Sequence, residues 1–403
     1  MRKANLLRLG CSTILSIAIV SAGGSAYAEY GTPWPRFATP LPGIVGGIDV
    51  INRVFDDPFD QPGGNLVASP KTDKPCFLSE LLAGKSSCDV AGGPWARVMG
   101  GQMTTSATGV ASWGGDAFAN GGILGNAMIR QRVDYTGVQA GADSGLLNLE
   151  GIGVNAHVGI MGGQLSADAN SIDSKSLFRN HFEVPFLGAY YVITKAGFMT
   201  DFTYRHTWYD MRMTDVDLQL NNAPLSGQSD NINASFSYKF ALPNRYFIEP
   251  LANVSYTRST FDSLSVRDTS VSSNASAGTI GFLDLAPVKS LLARGGVRFG
   301  TSFSYGGYNW APFALALVEN EFENSSKAGF TYQNSAGLWS ASRYTDAAEM
   351  STDRVGTFYQ ASLGISFQSQ TNGLAGFVRG DWQTGDKIDG GGVVGGLRYT
   401  FGP

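Results

Sequence analysis

Three histidines, His157, His181 and His206, are the side chains of this sequence best suited to general-base chemistry near neutral pH. Hydrolysis needs such a base within reach of a nucleophile. His206 lies between Asp201 and Asp210, the company an activated base keeps. Yet FMTDFTYRHTWY alternates, and its phase puts His206 on the apolar face of Tyr204 and Trp208. No Ser or Cys stands in a nucleophile motif. There is no Gly-rich phosphate loop in strand–helix context and no calcium-binding nonapeptide repeat. The expectation is a protein that is not an enzyme and that uses no cofactor or metal.

Charged side chains raise a second question. Arg130, Arg132, Asp134, Glu183, Asp201, Arg205, Glu249, Arg294, Arg298, Arg379, Asp381 and Arg398 all fall in stretches where apolar and polar residues alternate. Opposite signs are interspersed. That predicts a structural ion-pair network more than a single-sign binding surface. The net charge of −4 offers nothing to nucleic acid.

The elements that must carry these charges read as strands. In NINASFSYKF, Ile232, Ala234, Phe236, Tyr238 and Phe240 share one face, and Asn231, Asn233, Ser235, Ser237 and Lys239 the other. TFYQASLGISF and RYFIEPLANVSYTR repeat the pattern. Extended along the chain, it yields about twelve segments of roughly ten residues, the length a tilted strand needs to cross a bilayer. Short connections (194–197, 241–245, 304–308, 368–373) alternate with long polar ones (163–180, 211–228, 259–290, 320–354). One end is therefore trimmed and the other decorated, as in outer-membrane barrels. The trimmed end is the periplasmic one. A charge on the lipid face of such a barrel costs about 2–4 kcal/mol for Arg near the midplane, so the charges above are expected to line the lumen. In the last strand, GGGVVGGLRYTFGP, Val393, Gly395, Leu397, Tyr399 and Phe401 would meet lipid. That strand would pair with the first, around GPWARVMGG, leaving no edge unbonded in hydrocarbon. A soluble β-sandwich shows similar local alternation. Regular strand length, alternating loop length and the aromatic finish weigh against it.

The first 28 residues differ from all this. Arg2, Lys3 and Arg8 precede a short apolar core, Cys11 to Val20, and Ala26 and Ala28 bracket a small-x-small cleavage site. They predict an export signal over 1–28. The core is too short to span a membrane. Residues 29–93 are rich in Pro and Gly, and Ile44, Ile48, Ile51 and Phe55 fall on one helical face. After an export signal, Cys76 and Cys88 predict a disulfide. The rival metal site lacks a nearby His or a further Cys.

The segments over 94–403 resemble the C-terminal β-domain of autotransporters, the twelve-stranded translocators of type V secretion. WARVMGG looks like the family's first strand. RYFIEPLANVSYTR looks like its central strand, with Pro250 at the usual place, and FVRGDWQTGDKIDGGGVVGGLRYTF like its final hairpin. The resemblance implies an antiparallel transmembrane β-barrel in the bacterial outer membrane, acting as translocator, scaffold or small pore. It also implies that Gly396, Tyr399 and Phe401 form the signal read by the barrel assembly machinery. Val394 stands where that signal has a polar residue, and Gly402-Pro403 follow the aromatic. Only 29–93 precede the barrel after the export signal, too few for a solenoid passenger. By resemblance to the family's linker helix, residues 44–55 would thread the pore, so 29–93 is expected to serve as plug or linker. Surface loops binding an unidentified extracellular ligand form a second reading, and a hydrolase at the barrel rim a third.

Overall fold

A computed structural model describes residues 40–57, 72–84, 88–113, 123–173, 178–215, 220–268, 279–333 and 348–402. The cleavage site at Ala26 and Ala28 lies outside them. Two helices come first, α1 (Pro40–Asp56) and α2 (Leu78–Leu82). Then follow β1 (Val90–Trp113), β2 (Ile123–Leu149), β3 (Val154–Ser171), β4 (Arg179–Lys195), β5 (Phe198–Asp215) and β6 (Leu220–Tyr238). The middle of the chain forms β7 (Phe240–Ala241), β8 (Tyr246–Phe261), β9 (Leu264–Asp268), β10 (Thr279–Leu285), β11 (Val288–Thr301) and β12 (Phe303–Tyr305). The remainder forms β13 (Tyr308–Glu321), β14 (Ser325–Gln333), β15 (Ala348–Asp353), β16 (Thr357–Ser369), β17 (Leu374–Gly385) and β18 (Ile388–Tyr399).

Among the described residues, twelve long strands (β1 to β6, β8, β11, β13, β16, β17 and β18) close into one antiparallel barrel. Closure is made by β1, which pairs with β2 on one side and β18 on the other. Trp95 lies opposite both Gly141 and Arg398. The reason for a barrel lies on its outer face. Val98, Val138, Ile160, Leu187, Ile232, Val254, Leu363 and Leu397 are all exposed. Such a continuous apolar belt is tolerated only against lipid. Phe198, Tyr238, Tyr246, Phe299, Tyr399 and Phe401 form an exposed aromatic girdle at the short-turn end.

The strands outrun the bilayer. On β5, Phe202, Tyr204 and Trp208 face outward, but beyond them Asp210 and Arg212 face outward while Tyr209, Met211 and Met213 are buried inside. The polarity of the alternation reverses where the wall leaves the hydrocarbon. Outside, the outer face is wet and the inner face becomes a dry core. The same reversal occurs on β2, β3 and β4. It overturns two expectations. Segments 163–180 and 211–228 are not long loops, because β3 to β6 occupy most of them. And Arg130, Arg132, Asp134 and Glu183 do not line the lumen. They lie on the outer face of β2 and β4, opposite buried Gln131, Val133, Phe182 and Val184. Lipid drives a charge inward only at bilayer depth; above it, water is the cheaper neighbour.

Two other expected loops, 259–290 and 320–354, also contain strands. In them β10 pairs with β9 and β14, β14 with β15, and β15 with the far end of β1. These short strands replace β11, β13 and β16 to β18 above the bilayer and form a collar on the wide-loop end.

Candidate functional site

The lumen is filled by α1, every residue of which is buried. Its sequence, PLPGIVGGIDVINRVFD, carries three glycines that a free helix would not favour. Each faces a wall side chain. A Cβ on Gly43 or Gly47 would collide with the rings of Phe178 or Phe182, and one on Gly46 with the amide of Gln131. Gly is thus needed for close approach, and the helix forms because the wall packs it. Leu41, Ile44, Val45, Ile48 and Ile51 join one apolar core with Val133, Leu165, Phe178, Phe182, Met211 and Met213 at the collar end.

A second stripe, Asp49, Arg53 and Asp56, repeats the spacing of four and three and meets a polar wall. Arg354 donates to Asp49 through Nη2 at 2.5 Å and Nε at 3.2 Å. The Arg53 guanidinium lies 4.1 Å from the centre of the Phe358 ring. Asp56 accepts from Arg205 at 2.9 Å, Asn231 at 3.0 Å and Ser255 at 2.6 Å. Its backbone carbonyl accepts from Arg294 at 2.5 Å. Asp57 accepts from Arg379 and Gln360, both at 2.9 Å. The helix C-terminus carries partial negative charge, and two carboxylates add to it. Arg205, Arg294 and Arg379 converge there and balance both.

The two halves of α1 do different work. Burying its large apolar side chains favours the seated helix by on the order of 10 kcal/mol before ordering costs. Buried ion pairs roughly break even against desolvation. The apolar half therefore holds the helix, and the charged half fixes its register. Direction follows from the partners. Gly43 is beside Phe178 at the wide-loop end, whereas Cys76 donates its backbone N–H to Asn148 at the β2–β3 short turn, 3.0 Å away. α1 therefore has its N-terminus toward the wide-loop end, and Cys76 lies at the short-turn end.

Of the charges expected inside, Asp201, Arg205, Glu249, Arg294, Arg298, Arg379 and Arg398 are buried on the inner face, and Asp381 is half-buried there. They form separate groups. Arg298 pairs with Glu249, Arg294 with Glu319 at 2.6 Å, and Arg379 with Asp381 at 2.7 Å. Arg398 grips Asp143 at 2.6 and 2.7 Å, and Asp143 also accepts from Tyr190 at 2.9 Å. Asp201 sits across from Ser235. Sequence reasoning missed Asp49, Arg53, Asp56, Asp57, Asp143, Glu319, Glu321 and Arg354. The helical spacing of Asp49, Arg53 and Asp56 was a usable signal; the others gave none.

The remaining expected residues are placed as follows. Cys76 and Cys88 are joined by a disulfide. Gly396 faces inward against Phe377, and Tyr399 and Phe401 face outward. His206 shares the outer face of Tyr204 and Trp208, with Nδ1 2.8 Å from Asp230. His157 is buried beside Asp143, and His181 sits between Asp168 and Glu183 on the outer face. Among the described residues no cluster of His, Cys, Asp and Glu suits a metal ion.

No curated protein matches the chain by sequence. Among solved structures, the β-domain of the Bordetella autotransporter BrkA superposes with a TM-score of 0.53 at 19% identity, covering 76% of this chain and 98% of that one. The transport unit of the Escherichia coli autotransporter AIDA-I gives 0.52 at 14% identity, covering 77% and 90%. These likenesses confirm the fold. The family model of the autotransporter β-domain matches residues 95–381. With a closed twelve-stranded wall around a threaded helix, the chain belongs to the autotransporter β-domain family and is a translocator barrel of the bacterial outer membrane.

Proposed function

We propose that this barrel is a translocator held shut, with residues 29–93 serving as plug and linker. One observation carries the reading: α1 is wholly buried and its C-terminal end is met by three wall arginines, Arg205 on the Asp56 carboxylate, Arg294 on the Asp56 carbonyl and Arg379 on the adjoining Asp57. A polypeptide seated this way blocks passage of ions and solutes. Pro40 stands toward the wide-loop end of the lumen, so a tag placed ahead of it is expected to be reached by protease added to whole cells. We further infer that the last strand, with Gly396, Tyr399 and Phe401, is read by the barrel assembly machinery, and that the barrel does not catalyse. In support of the latter, each histidine is engaged by carboxylates, in the absence of a nucleophile motif.

Conductance in planar bilayers tests the plug. The full mature chain is expected to conduct weakly or not at all. A variant lacking residues 40–57 is expected to open a stable pore. Equal conductance of the two would refute the plug.

A further inference from the structure

The plug leaves one part of the outer wall unexplained. At the wide-loop end of the outer face, Arg258 on β8 and Lys289 on β11 stand directly opposite each other. Both are exposed. Like charges so placed across an antiparallel pair repel. Lys289 has no ion pair among the described residues, and Arg258 has only the attraction of Asp230. Asp230 lies across from Arg258 on β6, but it already accepts from Tyr204 at 2.7 Å and faces His206 at 2.8 Å.

Below the pair, β11 turns Leu291, Ala293, Gly295 and Val297 outward. There the wall is hollowed by an apolar cavity of about 420 Å³, flanked by Gly295, Val297, Ala316, Val318, Tyr359 and Trp382. A Cβ added to Gly295 would touch nothing within 4 Å. At bilayer depth this hollow holds no water, because an apolar site gives water no partners. Left empty, its lining would forfeit dispersion contacts. From Lys289 to Gly295 is about 20 Å along a strand, at ~3.3 Å per residue. With a tilt near 40°, that is roughly 15 Å of depth, one leaflet of a ~30 Å hydrocarbon core. The two features therefore sit one fatty-acyl length apart.

We propose that this wall binds one molecule of a phosphorylated glycolipid of the outer leaflet. A phosphate bridges Arg258 and Lys289 and relieves their repulsion, and one acyl chain fills the hollow. The basic pair faces the extracellular leaflet, which commits the site to that lipid in preference to the inner-leaflet phospholipids.

Native mass spectrometry of the full mature chain tests this, with hexa-acylated bis-phosphorylated lipid A as probe. Wild type is expected to retain one molecule. The double variant Arg258→Gln/Lys289→Gln is expected to retain it roughly tenfold or more weakly, from loss of charge-assisted bonds. Gly295→Leu, which fills the hollow and keeps both charges, should also weaken retention. On wild type, the dephosphorylated lipid should be held no better than the probe is held by the double variant. That comparison needs no altered fold. Equal retention of probe by wild type and the double variant overturns the proposal. So does equal retention of phosphatidylglycerol. A wild-type dimer that Gly295→Leu dissolves, without lipid adduct, would assign the hollow to a second copy of the chain instead.

Discussion

Asp56 shows how much one side chain can carry. Its carboxylate accepts from Arg205, Asn231 and Ser255, while its carbonyl accepts from Arg294. Arg205 also lies 4.5 Å from the Phe55 ring centre. Removing one partner of a buried pair leaves the other charged in a poor solvent. Asp56→Ala is therefore expected to destabilise the folded barrel by about 3–5 kcal/mol. Denaturant midpoints of the refolded protein measure it, and a change below about 1 kcal/mol would show that water reaches Arg205. Asp56 was legible in the sequence only as part of a helical polar stripe. Its wall partners come from β5, β6, β8 and β11, and no local pattern joins residues so far apart. Gly43 and Gly47 read locally as flaws in a helix, because the rings that require them lie on another element.

The strand is the scale at which the reading from sequence went furthest and also erred. Alternation located all twelve wall strands, since one face must be apolar at every level of the bilayer. It ended several of them too early. Where the wall leaves the bilayer the apolar side switches from outside to inside, and a reversal of phase looks like a break. The outer ends of β3 and β4 hold a titratable clamp in this wet zone. His181 touches Asp168 at 2.7 Å and Glu183 at 3.1 Å. Its pKa lies above the ordinary histidine value, through the Asp168 hydrogen bond first, then Asp168 charge and the Glu183 contact, against partial desolvation. Arg212, across on β5, is itself drawn to Asp210 at 3.6 Å. A raised histidine stabilises the folded state fully below its unfolded value, and the contribution fades as pH rises through the folded value. The Tm difference between wild type and His181→Gln should thus be greatest in mild acid and shrink above neutrality. A difference independent of pH would count against the clamp.

For the whole molecule the decisive event is closure. The seam between β1 and β18 is tied by more than its ladder. Arg398 on β18 reaches across the lumen side to Asp143 on β2, which also holds Tyr190 on β4 and lies 3.3 Å from His157 on β3. Trp95 on β1 completes the group by donating to Tyr190 at 2.7 Å. Four strands meet at one carboxylate, and β1 joins them through Tyr190. Arg398→Ala is expected to cost about 3–5 kcal/mol, as for a broken buried pair. Tyr190→Phe, which removes a donor to Asp143 and the acceptor of Trp95 but leaves the ion pair whole, is expected to cost less, about 2 kcal/mol. The fraction of chain that migrates as compact barrel on unheated gels reads both. If Arg398→Ala assembles as well as Tyr190→Phe, the seam rests on backbone pairing alone.

Read by itself, the sequence determined the class of this protein. A period of two repeated about twelve times, with an aromatic last strand, leaves few solutions besides a closed barrel in lipid, because every backbone group at that depth must be bonded. The helix in the lumen was indicated by spacing and by family resemblance. What the sequence did not determine is which charges meet, and which face of each strand is wet above the bilayer. Those depend on where the membrane ends and on what fills the lumen. Only the closed wall, by bringing Arg205, Arg294 and Arg379 around the end of one helix, decides that the barrel's interior is a socket.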